Sequence, residues 1–393
     1  MAQRRPRKPA HKRNGKLSKL EGPAETLEVK ITDLSAAGSG VAREPAGRVV
    51  FVPFTLPGDV ALVRMKSISK RYALAEIIEL REPSPDRTLP RCAVFGRCGG
   101  CQWQHVPYEL QFRTKVHGLV HSLKRRGIEP AVALEELPAD RIWEYRNRVQ
   151  LRGDGERLGF FAPGSHEIVP IERCEIARPE INAALPSARS EGRTRGAYKL
   201  ELDVSDTGEL RWAWNLGHGA LGFRQVHDEQ NLKLREWVSS CITPGRLLLD
   251  LYGGSGNLSR PIASRMSEVH CVDVGAPANS VAETPIRFHR ESVKPWLSQV
   301  ARQGDLASRA RESGGASAIL DPPREGLGSD LDAIERGLRA LGVVEIVAVG
   351  CDADSWAQDL SGFLKRGWKL SRAAALDLFP QTAHVEGIAL LRL

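Results

Sequence analysis

The sequence predicts an α/β protein in which two β-rich regions precede a doubly wound C-terminal domain with a mainly parallel sheet. Three observations lead to this prediction: short alternating strands in residues 26–80, further strand candidates in residues 140–226, and apolar strands alternating with helical stretches after about residue 227. A chain of 393 residues is long enough for two or three domains, each with its own hydrophobic core. We divide it into residues 1–24, 25–83, 84–226 and 227–393.

The charge of the chain favours a polyanionic partner. The net charge is +8, and residues 1–24 are rich in arginine and lysine, so we expect a disordered basic arm there. The odd number of cysteines, seven, shows no regular pairing pattern and indicates a reducing cytoplasm. No segment approaches the roughly 18 apolar residues that a spanning helix needs, so we expect no membrane partner.

Residues 25–83 predict a small β-barrel. The segments LEVKITDL, RVVFVPF, DVALVRMKSI and ALAEIIEL have strand character, and the turn signals AAGSG, EPAG and LPGD separate them. Basic side chains on these strands favour contact with phosphates: Arg64, Lys66, Lys70 and Arg71. A β-rich domain without a binding role is the alternative.

Residues 84–226 predict a β-rich domain that carries a metal site. Cys92, Cys98 and Cys101 are separated by five and then two residues. Thiolates select zinc or an iron–sulfur cluster, and either needs a fourth donor, for which Cys174 and His105 are the candidates. Three free thiols in a tight loop are the alternative without a metal.

Residues 227–393 predict a nucleotide-like ligand at the carboxyl ends of the strands. In LLLDLYGGSGNLS, Asp250 ends an apolar strand, and Gly253, Gly254 and Gly256 allow close backbone approach. Asp273 closes the next strand about 20 residues further on, where an acid can accept hydrogen bonds from ribose hydroxyls. This layout is typical of S-adenosylmethionine methyltransferases, and a loop without a ligand is the alternative.

Three more strand ends carry chemistry. Asp321 lies with two prolines in LDPPREGL, and Cys351 follows the strand VEIVAVG, where catalytic groups collect in this fold class. Either His384 or Glu386 could act as a general base just before the last strand. The alternatives are a proline strand terminator, a buried structural cysteine and a structural carboxylate.

Together these motifs resemble the RNA uracil-5-methyltransferase family, in its iron–sulfur-containing bacterial branch, over about residues 25–393. Residues 26–80 resemble the TRAM domain, an OB-like RNA-binding module, and the C-terminal domain resembles a Rossmann-like methyltransferase domain. FRQVHDEQN resembles the methyl-donor segment. The resemblance implies two ligand sets: Cys92, Cys98, Cys101 and Cys174 for a 4Fe-4S cluster, and Gln225, Tyr252, Gly254, Asp273 and Asp321 for S-adenosyl-L-methionine.

The family's chemistry implies roles for the remaining residues. The thiolate of Cys351 would add to carbon 6 of a flipped-out uracil, so that carbon 5 can take a methyl group. Asp321 would orient the base, and Glu386 would remove the carbon-5 proton. The expected product is 5-methyluridine in RNA, with 23S ribosomal RNA favoured over transfer RNA, and the expected state is a monomer.

The sequence departs from the family pattern in three places. Gly350 stands where serine is usual, Ala353 replaces a usual proline, and the stretch between Asp273 and Asp321 is short and lacks an asparagine-rich helix. None of these changes removes a reacting group, so the sequence predicts an active enzyme. The alternatives are a non-catalytic iron–sulfur RNA-binding protein and, less favoured, a cytosine-5-methyltransferase. A radical enzyme is excluded because its cysteines would be spaced by three and then two residues.

Overall fold

The computed structural model describes residues 25–129, 133–155, 157–216, 224–277 and 285–393, together with the backbone of Ser18–Lys19. The predicted basic arm, residues 1–24, otherwise lies outside the described residues. The chain forms two compact units, residues 1–88 and 89–393. In the described parts of the chain no helix is long and apolar enough to cross a lipid bilayer.

The first unit is a seven-stranded sheet. Its strands follow the order β1-β6-β7-β5-β4-β3, and β2 pairs with β6. Apolar side chains alternate along β6, so that Ala61, Val63 and Met65 enter the core while Arg64 and Lys66 face outward. The four predicted strand segments are confirmed. The bounds are β1 Ser18–Lys19, β2 Thr26–Lys30, β3 Asp33–Leu34, β4 Ser39–Arg43, β5 Val49–Pro53, β6 Val60–Ile68 and β7 Tyr72–Glu82.

The second unit contains two sheets and seven helices among its described residues. The helices are α1 Tyr108–Arg125, α2 Pro179–Gly192, α3 Asp228–Cys241, α4 Val293–Gln303, α5 Asp305–Glu312, α6 Leu331–Ala340 and α7 Ala353–Leu364. The strands are β8 Glu135–Leu137, β9 Arg148–Gly153, β10 Leu158–Phe161, β11 Ile168–Pro170, β12 Tyr198–Val204, β13 Leu210–Trp214, β14 Leu247–Leu251, β15 Glu268–Val272, β16 Ile286–His289, β17 Ala316–Leu320, β18 Val343–Gly350, β19 Lys369–Leu376 and β20 Glu386–Arg392.

The smaller of these sheets has five antiparallel strands in the order β11-β10-β9-β12-β13. Helix α2 packs on one face through Ile181, Leu185 and Ala188, which join the core of this sheet. The predicted strands of residues 140–226 are therefore confirmed. Cys174 lies in the loop between β11 and α2.

The larger sheet has eight strands in the order β16-β15-β14-β17-β18-β20-β19-β8. Strands β14 to β18 are parallel to one another, and β20 runs antiparallel between β18 and β19. Strand β14, LLLDL, is buried along its whole length because apolar clusters cover both faces of the sheet. The predicted doubly wound, mainly parallel architecture is confirmed.

Elements from before residue 227 also contribute to this larger sheet. Strand β8 pairs in parallel with β19, and helix α1 packs against α7. The domain boundary at residues 226 and 227 stays a prediction. In the structure the larger sheet includes strands that precede this boundary and strands that follow it.

Candidate active site

The turn after β14 is built so that the backbone can pass close to a ligand. Tyr252, Gly254 and Gly256 have φ values of 63°, 56° and 81°, the left-handed region that glycine adopts without strain. A Cβ at Gly253 would lie 2.5 Å from Cγ of the buried Asp250, so only glycine fits there. Burial raises the pKa of Asp250 to about 6, and Ser259 donates a hydrogen bond to its carboxylate.

Asp273 lies beside this turn at the carboxyl end of β15. The Tyr252 N–H donates to the Val272 carbonyl at 2.9 Å, which holds the turn against the end of β15. The Asp273 carboxylate accepts a hydrogen bond from the Gly275 N–H at 2.6 Å, and the next side chain, Val274, is 66% exposed. The Asp273 carboxylate, the glycine turn and the exposed Val274 side chain thus all follow the carboxyl ends of two neighbouring strands, β14 and β15.

Gln225 reaches the same region through α3. Its carbonyl accepts a hydrogen bond from Asn147 at 2.9 Å just before that helix begins. Two hydrogen bonds between the side chains of Asn231 and Asn257, at 3.0 and 2.8 Å, join α3 to the glycine turn. The predicted methyl-donor segment is therefore tied to the predicted glycine loop.

A second group of residues lies at neighbouring strand ends, and we call it the thiol–carboxyl site: Asp321, Arg324, Cys351 and Glu386. Asp321 follows β17 and Cys351 follows β18, while Glu386 begins the antiparallel β20. Gly350 of β18 and Gly387 of β20 are partners in the antiparallel register. Their sequence neighbours Cys351 and Glu386 therefore lie at the same end of this strand pair. The Asp321 N–H donates to the Leu251 carbonyl at 3.3 Å, next to the glycine turn.

Burial and neighbouring charges together shift the pKa values of all three acidic groups of this site, Asp321, Cys351 and Glu386. Burial, followed by the charges of Asp250 and Asp273, raises the pKa of Asp321 to about 7. Burial and then the Asp321 charge raise the pKa of Glu386 well above its usual range. Burial and then the Glu386 charge raise the pKa of Cys351 to about 11. With a pKa of about 11, Cys351 holds its proton at neutral pH.

Arg324 is the cation of the site, and the sequence analysis gave it no role although it lies in LDPPREGL. Its charge lowers the pKa values of both Cys351 and Glu386, against the effect of burial. Its guanidinium lies 3.5 Å from His384 Nε2, and burial followed by this charge lowers the pKa of His384 to about 4. A basic residue directly after a strand-end Pro-Pro pair was the available signal.

Four cysteines line one cavity of about 320 Å³, which we call the cysteine cavity: Cys92, Cys98, Cys101 and Cys174. All four are free thiols, whereas the competing candidate His105 is not among the lining residues. Burial raises the pKa of Cys98 to about 11 and that of Cys101 to about 12. Within the described ranges, no group of three or more His, Cys, Asp or Glu side chains is arranged to hold a metal ion.

The segment before Glu386 is joined to the cysteine segment through Gln381. The Gln381 carbonyl accepts hydrogen bonds from the N–H groups of Gln102 and Trp103, both at 3.0 Å. Its own N–H and side chain bond to the Gln111 side chain at 3.0 and 3.1 Å. Gln381 is buried and has a φ of 70°. Sequence reasoning missed this residue because its partners are distant in the chain, with Gln111 270 positions away.

The comparisons with known proteins agree with this arrangement. Residues 23–78 match the TRAM domain. The fold resembles the crystal structure of Pyrococcus abyssi tRNA (uracil-54, C5)-methyltransferase in complex with S-adenosyl-L-homocysteine. The TM-score is 0.65 at 20% identity, over 93% of this chain and 99% of that one. The fold class is thus that of a methyltransferase with an added TRAM domain.

Two relatives extend over nearly the full length of the chain. An uncharacterized RNA methyltransferase of Bdellovibrio bacteriovorus is 30% identical over 385 residues, which cover 93% of this chain and 95% of the relative. The 23S rRNA (uracil(1939)-C(5))-methyltransferase RlmD of Chromohalobacter salexigens is 29% identical over 462 residues, covering 98% and 94%. The chain belongs to the RNA uracil C5 methyltransferase family.

Proposed function

We propose that this enzyme methylates carbon 5 of a uridine in RNA, with Cys351 as the nucleophile and Glu386 as the general base. The observation that carries the proposal is the thiol–carboxyl site, where a half-buried thiol, two carboxyls and an arginine occupy adjoining strand ends. Strand ends of this kind are where doubly wound folds place their ligands.

The methyl donor would be S-adenosyl-L-methionine, held at the glycine turn. We assign its binding to Gln225, Tyr252, Gly254, Asp273 and Asp321. These residues fit such a molecule: Asp273 offers an acceptor for hydroxyl groups, the glycine backbone permits close approach, and exposed Val274 offers an apolar surface. When bound, it supplies an electrophilic methyl group on a positively charged sulfonium.

The residues of the site then have distinct duties. Cys351 forms a bond from Sγ to carbon 6 of uracil, and the electrons displaced from the double bond make carbon 5 nucleophilic. Asp321, whose pKa near 7 lets it donate or accept a hydrogen bond, orients the base. After carbon 5 is methylated, Glu386 takes its remaining proton, the double bond re-forms and the Sγ–C6 bond breaks.

Arg324 favours the reactive thiolate form of Cys351. A thiol whose pKa is about 11 is almost entirely protonated at neutral pH, and Arg324 is the group of the site that stabilises its thiolate. The positive sulfonium of the donor would act in the same direction. The nucleophile is therefore most reactive when the donor is present, which limits unproductive adducts.

The RNA would be ribosomal RNA, because the relative from Chromohalobacter salexigens acts on 23S rRNA and matches nearly the whole chain. Transfer RNA is the alternative, after the substrate named for the Pyrococcus abyssi enzyme. The TRAM domain and the outward-facing Arg64 and Lys66 would add phosphate contacts. The target base must leave its stack to reach Cys351.

The cysteine cavity would hold a 4Fe-4S cluster. The four thiols that line this cavity match such a cluster in donor type and number but are not already arranged as a metal site, and a bound cluster would require them to deprotonate. The first three cysteines lie before β9 in the chain, and Cys174 lies after β11. A cluster would therefore link these two loops. Its role is then structural, with Gln381 joining this region to the segment before Glu386.

The test of the function is Cys351→Ala. We expect loss of methyl transfer by about 10⁴-fold or more, because the covalent route is removed. Methyl incorporation should be measured on RNA from a strain that lacks this protein, together with the covalent adduct on RNA containing 5-fluorouridine. Cys241→Ala, a buried cysteine on α3, is the control and should keep both activities. Methylation by the Cys351→Ala protein would contradict the mechanism, and RNA binding without methylation by the unaltered protein would favour the non-catalytic alternative.

A further inference from the structure

We propose that Trp356 is a positioning residue that fixes the nucleophile Cys351 relative to the base Glu386. The inference rests on the proposed function of these two residues. Trp356 acts through the backbone of the two strands that carry these residues, β18 and β20, and not through their reacting atoms.

The indole lies against a pair of glycines. Gly350 precedes Cys351 at the end of β18, Gly387 follows Glu386 at the start of β20, and the two glycines are partners in the strand register. A Cβ at Gly350 would lie 2.8 Å from Trp356 Cδ1, and a Cβ at Gly387 would lie 2.8 Å from Trp356 Cδ2. Neither glycine has a positive φ, so glycine is required for the close approach and not for the backbone conformation.

Trp356 is itself held firmly. It is 2% exposed, and its Nε1–H donates to the Ala348 carbonyl of β18 at 3.2 Å. The side chain of Asp352 caps the first turn of α7 by accepting from the N–H groups of Asp354 and Ser355, so the helix begins directly after Cys351. A buried indole on a capped helix is a rigid support for the two strands.

The same helix start also reaches Arg324. The Ser355 hydroxyl donates to the Arg324 carbonyl at 2.7 Å, next to Trp356 in sequence. The first turn of α7 therefore contacts the backbone of three members of the thiol–carboxyl site or their immediate neighbours. A change in the size of residue 356 should move these groups relative to one another.

This packing also accounts for Gly350. The resemblance led us to expect serine at this position, and a serine side chain there would overlap the indole. Gly350 and Trp356 are thus a matched pair in this chain. The absence of the serine side chain is compensated by an aromatic ring that fills its space.

Positioning of this kind matters because Sγ and the carboxylate must reach adjacent carbons of one uracil ring. A misplacement of about 1 Å can reduce a rate by about 10²-fold without any loss of a reacting group. We therefore expect Trp356→Leu to lower kcat by about 10- to 100-fold, with KM values for RNA and S-adenosylmethionine within about 2-fold.

The decisive experiment is a double-mutant cycle. Gly350→Ala should lower kcat because its methyl group meets the indole, and adding Trp356→Leu should restore at least part of that loss. The rate of covalent adduct formation on 5-fluorouridine RNA is measured beside methyl transfer, and each rate is divided by the folded fraction from circular dichroism. Trp368→Leu is the matched control, since Trp368 is equally buried but bonds to Glu335, away from the site. It should lose stability and keep kcat.

The outcomes separate this inference from the proposed function. If Cys351→Ala still methylates RNA, the proposed function is wrong and the cycle has no meaning for catalysis. If Cys351→Ala is inactive while Trp356→Leu keeps full kcat, or while Trp356→Leu and Trp368→Leu lose activity equally, only the role of Trp356 is wrong. Additive losses in the double variant would also overturn it.

Discussion

The cysteine cavity and the thiol–carboxyl site both hold half-buried thiols, yet their surroundings differ. In the cavity, burial raises the pKa values of Cys98 and Cys101, and the neighbouring thiols raise them further. At Cys351, burial raises the pKa as well, but Arg324 opposes it and two carboxyls lie near. Four thiols around one cavity suit a metal that deprotonates them, whereas a single thiol beside an arginine and two carboxyls suits a nucleophile.

The largest effect that would sharpen this contrast is expected for Glu386→Gln. A glutamine keeps the shape of the side chain but cannot take the carbon-5 proton, so turnover should fall by about 10³-fold. The first steps do not need this proton transfer, so a methylated covalent adduct should accumulate on ordinary RNA. Gel mobility and mass spectrometry of the complex measure it. Normal turnover would show that another group is the base.

The pH dependence of adduct formation should set Cys351 apart from the cavity thiols. A raised pKa of about 11 means that the thiolate fraction is small at pH 7 and increases about tenfold per pH unit below that pKa. Single-turnover adduct formation should therefore rise from pH 7 to 9, by up to about 100-fold. A bound donor should reduce the slope by lowering the pKa. A rate that is flat over this range without the donor would mean that the thiolate is already formed.

Arg324→Gln tests the cation that lowers the pKa of Cys351. Loss of the charge should raise the pKa of Cys351 further, so adduct formation at pH 7 should fall by about tenfold and its pH profile should move to higher pH. Arg324→Lys keeps the charge and is the control. An equal loss in both variants at every pH would indicate a steric role for the guanidinium instead.

Cys98→Ser should affect the other region with a smaller effect on catalysis. One ligand fewer should remove most of the iron and the visible absorbance of the anaerobically purified protein, because the cluster needs four donors. The methylation rate per folded molecule should fall only a few-fold, by about 2- to 5-fold, since the reacting groups are elsewhere. Loss as severe as that of Cys351→Ala would place the cysteine cavity in the chemistry.

Gln381→Gly tests the connection between the two regions and should have the smallest effect. Glycine accepts the φ of 70° and keeps both backbone groups of residue 381. The hydrogen bonds lost are the one that Gln111 Nε2 donates to the Gln381 side-chain oxygen and the one that Gln381 Nε2 donates to the Ile142 carbonyl. We expect a loss of stability of about 1 kcal/mol and a change of less than about 2-fold in kcat. Thermal unfolding and methyl transfer measure the two. Gln381→Asn, which keeps an amide on a shorter side chain, is the comparison variant.

The sequence predicts most of the fold because hydrophobic periodicity and turn residues mark its elements locally. Alternating strands such as β6, and the continuous apolar strand β14 followed by a glycine turn, carry their signal locally. The cysteine spacing and the strand-end acid Asp273 are likewise local patterns. These features led to the doubly wound architecture and to the separate grouping of the four cysteines and Cys351.

The features that sequence reasoning missed all depend on distant contacts. Strand β8 has three residues and no periodic signal of its own, and its place is set by β19. Arg324, Trp356 and Gln381 matter through neighbours that the fold brings to them. The departure at Gly350 is explained in the same way, because its partner Trp356 is apparent only when β18 and α7 are packed together.

The placement of β8 has a consequence for the order in which the chain can fold during synthesis. Glu135 of β8 bonds to Arg372 of β19, a partner 237 residues further along the chain. The ribosome therefore releases β8 and α1 long before the strand and the helix that cover them exist, and such non-local pairing slows folding. During that interval the cysteine segment, which precedes α1, must remain accessible without its supporting layer. For the proposed cluster, the lining of the cysteine cavity is complete only when Phe379, Thr382 and His384, which lie between β19 and β20, have also been synthesised.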